Sequence, residues 1–90
     1  MTGKRYVVRG VVQGVGFRWF VLRNAHSLGL RGWVTNRPDG TVEVVAEGAA
    51  AALDELERAL TQGPRGARVE QVEQSENPHH LDGITNFGIR

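Results

Sequence analysis

Apolar residues recur along this chain with changing periods, and each change marks an element. Tyr6, Val7, Val8, Val11 and Val12 crowd the segment from Arg5 to Val12, the pattern of a buried strand. After Gln13-Gly14-Val15-Gly16 the spacing lengthens. Phe17, Val21, Ala25 and Leu28 follow at steps of four and three. That spacing lays one apolar stripe on a helix, and Gly29 supplies its C-terminal stop. Leu30 to Asn36 reads as a second strand. Pro38-Asp39-Gly40 then brings turn chemistry, proline presetting φ and glycine accepting a positive value. From Thr41 to Glu47 the period is two, with Val42, Val44 and Ala46 alternating against Thr41, Glu43, Val45 and Glu47. This predicts a β-hairpin with one buried face.

Helical spacing returns at Ala49, Ala52, Leu53, Leu56 and Leu60, with Asp54, Glu55, Glu57 and Arg58 opposite and Gly63-Pro64 as the stop. Arg68 to Gln74 is a fourth strand with broken alternation: Val69 and Val72 share a pleat face only across a bulge or twist. Asn77 to Gly83 is a polar loop, and Thr85 to Arg90 is a short closing strand carrying Phe87 and Ile89. The order is βαββαβ plus that closing strand. It predicts an α+β, ferredoxin-like sandwich with two helices on one face of an antiparallel sheet. Residues 1–90 make a single domain. Such a fold hosts many functions, so the chemistry has to come from a site.

Composition removes several alternatives. The net charge of +1 and the lack of a basic run give no arm for nucleic acid. No apolar stretch is long enough to span a membrane, and no apolar leader opens the chain, which predicts a cytoplasmic protein. The chain has no cysteine. Disulfides, thiolate metal sites and a cysteine nucleophile are therefore excluded.

The segment Gln13-Gly14-Val15-Gly16-Phe17-Arg18 carries the most chemistry. Two glycines lie where a strand turns into a helix start, and backbone N–H groups in such a turn make a concave anion site. Arg18 adds a planar, permanently charged fork suited to phosphate oxygens. Generic phosphate motifs do not fit. No Gly-Lys-Ser/Thr is present, and the dinucleotide pattern needs a third glycine where Trp19 stands. The aromatic run from Phe17 to Phe20 has a superficial likeness to an RNA-recognition signature. That signature belongs on a strand, whereas here it opens a helix, so Phe17 and Phe20 are expected to pack inward.

Val11-Val12-Gln13-Gly14-Val15-Gly16-Phe17-Arg18 closely resembles the first acylphosphatase signature. Gly32-Trp33-Val34-Thr35-Asn36-Arg37-Pro38-Asp39-Gly40-Thr41-Val42 resembles the second, and Phe87-Gly88-Ile89-Arg90 its closing strand. The resemblance covers essentially the whole chain. It implies hydrolysis of a carboxyl–phosphate anhydride in a small acyl phosphate, giving a carboxylate and inorganic phosphate, the latter as product and inhibitor. It further implies that Arg18 and the backbone N–H groups of Gln13, Gly14, Val15, Gly16, Phe17 and Arg18 hold the phosphoryl group. Asn36 would position the attacking water. The implied enzyme is a stand-alone monomer with no metal, no cofactor, and neither nucleic acid nor membrane as partner. The other classes weighed are a non-catalytic anion-binding module, an accessory domain of a carbamoyl-transfer maturation protein, and an RNA binder with aromatics exposed on its sheet. In a split βαβ sheet, the loop after strand one and the end of strand two meet only if their facing ends coincide.

The remaining polar residues have plainer readings. Arg37 is expected as a solvated hairpin charge and Thr41 as an ordinary strand threonine, while Trp33 should pack on the sheet. His79 and His80 are adjacent on a loop, point different ways and lack further ligands, so they read as solvated, as does His26 on its helix. Tyr6 has no assigned chemistry.

Overall fold

The computed structural model describes residues 2–77 and 81–90. The elements are β1 (Thr2–Val11), α1 (Phe17–Ser27), β2 (Arg31–Asn36), β3 (Val42–Gly48), α2 (Ala50–Gln62), β4 (Arg68–Glu76) and β5 (Phe87–Ile89). They form one five-stranded sheet in the order β4-β1-β3-β2-β5. The apolar stripes of α1 and α2 bury Phe17, Val21 and Ala25, and Leu53, Leu56 and Leu60. These meet Tyr6, Val8, Val34, Val42, Val44 and Ala46 from the sheet in one core. Each fully buried leucine there contributes about 1.5–3 kcal/mol. The alternation expected for β3 thus places Val42, Val44 and Ala46 against the helices. No helix among the described residues is long and apolar enough to cross a membrane.

The sheet departs from a purely antiparallel one at its edge. The four longer strands pair antiparallel, but β5 runs parallel to β2, with Gly32 opposite Phe87 and Val34 opposite Ile89. The sheet is therefore mixed. β4 lies at one edge and β5 at the other, so the chain returns across the molecule and enters β5 in the direction of β2.

β4 contains the bulge its valines demanded. Arg9 pairs with Gln71 and Gly10 with Val69, which leaves Glu70 as the extra residue. Val69 and Val72 are both half-buried against the core as a result. Gly10 lies opposite the bulge with φ +132°, and a Cβ there would stand 2.0 Å from the Arg68 carbonyl oxygen.

The outer face of the sheet is more covered than a one-faced hairpin predicts. Val45, on the strand's outward side, is completely buried and packs with Trp33 and Leu81. The cover comes from far along the chain. Arg31 Nη1 donates to the Leu81 and Ile84 carbonyls at 3.3 and 2.9 Å, and the Arg90 guanidinium lies 4.5 Å over the Trp33 ring. Arg5 pairs with Glu43, Arg9 with Glu73 and Arg31 with Glu47, so this face largely neutralises its own charge.

Candidate active site

β1 and β2 each pair antiparallel with β3 and so run parallel to one another, with β3 between them. Val42, at the start of β3, faces Val8 on one side and Asn36 on the other. The C-terminal ends of β1 and β2 consequently reach the same end of the sheet. The glycine loop leaves one of them and the hairpin turn the other.

Val12 turns inward and is buried, which fixes where the loop begins. Gly14 and Gly16 adopt φ of 75° and 77°, a left-handed conformation that costs other residues about 1–2 kcal/mol. A Cβ on either would meet nothing within 4 Å, so backbone conformation, not crowding, requires the glycines here. Gly16 caps α1 without help from a side chain. Phe20 N–H returns to the Gly16 carbonyl at 3.1 Å. The N–H groups before it, at the helix start, carry the positive end of the helix dipole.

The side chain of Gln13 joins the two segments. Its Nε2 donates to the carbonyls of Arg37 and Thr41, both at 2.8 Å. The hairpin it grips is closed on itself. Arg37 N–H donates to the Thr41 carbonyl at 2.9 Å and Gly40 N–H to the Arg37 carbonyl at 3.1 Å. Asp39 Oδ1 accepts from the Thr41 amide at 3.1 Å and from Thr41 Oγ1 at 2.6 Å. These two donors, with Arg37 and Arg9 nearby, hold the Asp39 carboxyl below the usual range. Thr41 is buried and committed to this turn.

Between loop and hairpin lies a cavity of about 60 Å³ lined by Gly14, Gly16, Arg18, Trp19 and Asn36, with Val12 and Phe17 behind them. One water needs about 10–15 Å³ of such space, so there is room here for a compact polar group the size of a phosphoryl head. The Asn36 Oδ1 atom is buried with no hydrogen-bond partner among the described residues. Leaving such an acceptor unsatisfied costs about 1–3 kcal/mol, which makes it an unusual feature to retain. Arg18 is exposed and forms no ion pair with the described residues, unlike Arg5, Arg9, Arg31 and Arg58. Its charge is left open at the cavity.

The residues singled out from the sequence thus divide. Gly14, Gly16, Phe17, Arg18 and Asn36 share the cavity. Val15 packs against the core, and the Gln13 side chain points to the hairpin. Two features went unread in the sequence. The clamp made by Gln13 has no local signature, because its acceptors are carbonyls 24 and 28 positions away. Trp19 did carry a signal: it lies two residues past the buried Phe17, off the apolar stripe, and is 62% exposed.

Other polar groups are structural. Tyr6 is buried, its hydroxyl donates to the Leu53 carbonyl at 3.3 Å, and burial, with Glu57 and Asp54 nearby, pushes its pKa up to about 12. His26 is exposed as expected, and its Nε2 also meets the Phe87 carbonyl at 2.9 Å, tying α1 to β5. His79 and His80 lie outside the described residues. Two wider grooves beside α2, of about 410 and 350 Å³, mix Glu55, Glu57 and Asp54 with Arg58 and offer no comparable set of donors.

The architecture is an α+β sandwich whose strand-to-helix loop and hairpin close on one small polar cavity. The acylphosphatase family profile matches residues 4–89. An acylphosphatase of Pasteurella multocida is 48% identical over 90 residues, covering 100% of this chain and 99% of the relative. The crystal structure of acylphosphatase from Bacillus subtilis superposes with a TM-score of 0.92 at 41% identity, covering 100% of this chain and 99% of that one. The same fold also matches T. kodakarensis HypF, with a TM-score of 0.86 and 35% identity, over 100% of this chain but only 12% of that protein. The chain belongs to the acylphosphatase family. It is an enzyme of that family.

Proposed function

We propose that this enzyme hydrolyses the carboxyl–phosphate bond of small acyl phosphates, holding the phosphoryl group in the Gln13–Arg18 loop and directing water from Asn36. The observation that carries the reading is the buried Asn36 Oδ1, without a hydrogen-bond partner among the described residues, beside a cavity that Arg18 and the glycine loop also line. In phosphoryl transfer, charge spreads over three equatorial oxygens, and the main requirements are alignment and donors that face them. The helix-start N–H groups and the Arg18 guanidinium are such donors. Oδ1 of Asn36 accepts a hydrogen bond from the attacking water and so orients a lone pair toward phosphorus, while the amide nitrogen remains available as a donor. Asparagine is not a base, so the burden falls on positioning and electrostatic stabilisation. An acyl phosphate suits this arrangement because its carboxylate leaves without strong acid assistance. An ordinary phosphate ester, with a poorer leaving group, does not.

The test is hydrolysis of benzoyl phosphate in excess EDTA by the wild type and Asn36→Ala side by side. Turnover that falls by about 100-fold in the variant supports the reading, as loss of one positioning group at a reacting centre has that scale. Full activity in Asn36→Ala removes Asn36 from the chemistry. A folded wild type that binds phosphate but turns nothing over leaves a binding module.

A further inference from the structure

We infer that the indole of Trp19 forms the acyl side of this site and gives the enzyme a preference for flat, apolar acyl groups; the inference rests on the phosphoryl group lying in the glycine loop. Trp19 and Val11 are the exposed large hydrophobics among the described residues, at 62% and 55%. A single exposed apolar residue is ordinary in itself. What separates Trp19 is its place, since it lines the same small cavity as Gly14, Gly16, Arg18 and Asn36.

The geometry of the cavity supplies the rest. Its volume of about 60 Å³ admits the phosphoryl end and leaves the acyl end to project past the rim. Gly14 and Gly16 present no side chain there, and Arg18 is taken by the anion, so Trp19 is the large apolar surface at that rim. The helix holds it there. Phe17 and Val21 on either side of it in sequence are buried, and Phe20 packs against the core with its ring 5.8 Å from that of Phe17. The Trp19 backbone is therefore fixed while its indole stacks on no other ring among the described residues. A flat acyl group lying on the indole gains an offset-stacked or edge contact that acetyl cannot make.

The experiment compares kcat/KM for benzoyl phosphate and acetyl phosphate in wild type, Trp19→Ala and Trp19→Phe, together with inhibition by inorganic phosphate. Trp19→Ala should lose about ten-fold on benzoyl phosphate, the scale of one aromatic contact. Acetyl phosphate hydrolysis and phosphate inhibition should stay within about two-fold, and Trp19→Phe should restore most of the benzoyl preference. Equal losses on both substrates, or none on either, overturn the inference. Acrylamide quenching in a Trp33→Phe background reads binding without turnover. Benzylphosphonate should shield Trp19 and methylphosphonate should not. Shielding with no hydrolysis of either substrate would keep the acyl contact and discard the catalytic reading, and equal effects of the two phosphonates would discard the contact.

Discussion

The Gln13 clamp gives the sharpest stability prediction, because its donor is an amide and both of its acceptors are backbone carbonyls. Gln13→Ala removes two hydrogen bonds of 2.8 Å, each worth about 0.5–1.5 kcal/mol net. Both carbonyls keep another partner, Gly40 N–H for Arg37 and Arg37 N–H for Thr41, so neither is orphaned. The loss should therefore lie at the lower end, about 1–1.5 kcal/mol, or a fall in Tm of roughly 4–12 °C in a domain of this size. Gln13→Glu has nearly the same shape but sets a carboxylate against two carbonyl oxygens. It should be less stable than Gln13→Ala at pH 7 and recover toward it as the pH falls and the side chain protonates. Urea titration at pH 4 and 7 measures this, and benzoyl phosphate hydrolysis should show kcat falling about ten-fold in both variants as loop and hairpin lose registry. If Gln13→Glu matches the wild type in urea midpoint and kcat, the clamp holds nothing and the reasoning is wrong.

Arg18→Gln should weaken inhibition by inorganic phosphate about ten-fold or more, since a charge-assisted contact is worth about 1.5–3 kcal/mol, whereas Asn36→Ala should lower kcat with inhibition largely kept; equal loss of inhibition in both would merge the two roles. Gly10→Ala should destabilise by about 3 kcal/mol through overlap with the Arg68 carbonyl, and Gly14→Ala by only about 1–2 kcal/mol from its positive φ; thermal unfolding separates them, and equal costs would contradict the distinction. Folded Tyr6 resists ionisation up to about pH 12, while the unfolded chain releases that proton near pH 10. Its stabilising contribution is present below pH 10 and declines as pH rises from there toward 12. Urea midpoints between pH 9 and 11.5 should show this decline in the wild type and a flatter one in Tyr6→Phe.

Periodicity made most of the fold legible. The apolar steps from Phe17 and from Leu53 became the two buried helix faces, and the clash of phase between Val69 and Val72 called for the bulge found at Glu70. Alternation describes a strand's own pleat and says nothing about what later segments lay over its other side. Alternation therefore places Val45 outward, although Leu81 and Ile84, more than thirty positions on, bury it. The direction of β5 depends on the same long return and has no local marker. At the site, residue types in the loop point to Arg18 and the glycine pair, whereas Asn36 follows only from the resemblance of its segment to the second acylphosphatase signature. The role of Gln13 escaped because a glutamine amide is satisfied by any backbone carbonyl, and the sequence does not say which are near.

Every described residue lining the cavity lies between Val12 and Asn36, and the strand that locks their two carriers together ends at Gly48. The second half of the chain supplies α2, β4 and β5, which buttress the sheet without touching the cavity. A substitution at Leu56 or Val72 therefore acts on the shared core and not on the cavity's own lining. A change in the groups that face the cavity has to be written in the first half of the chain.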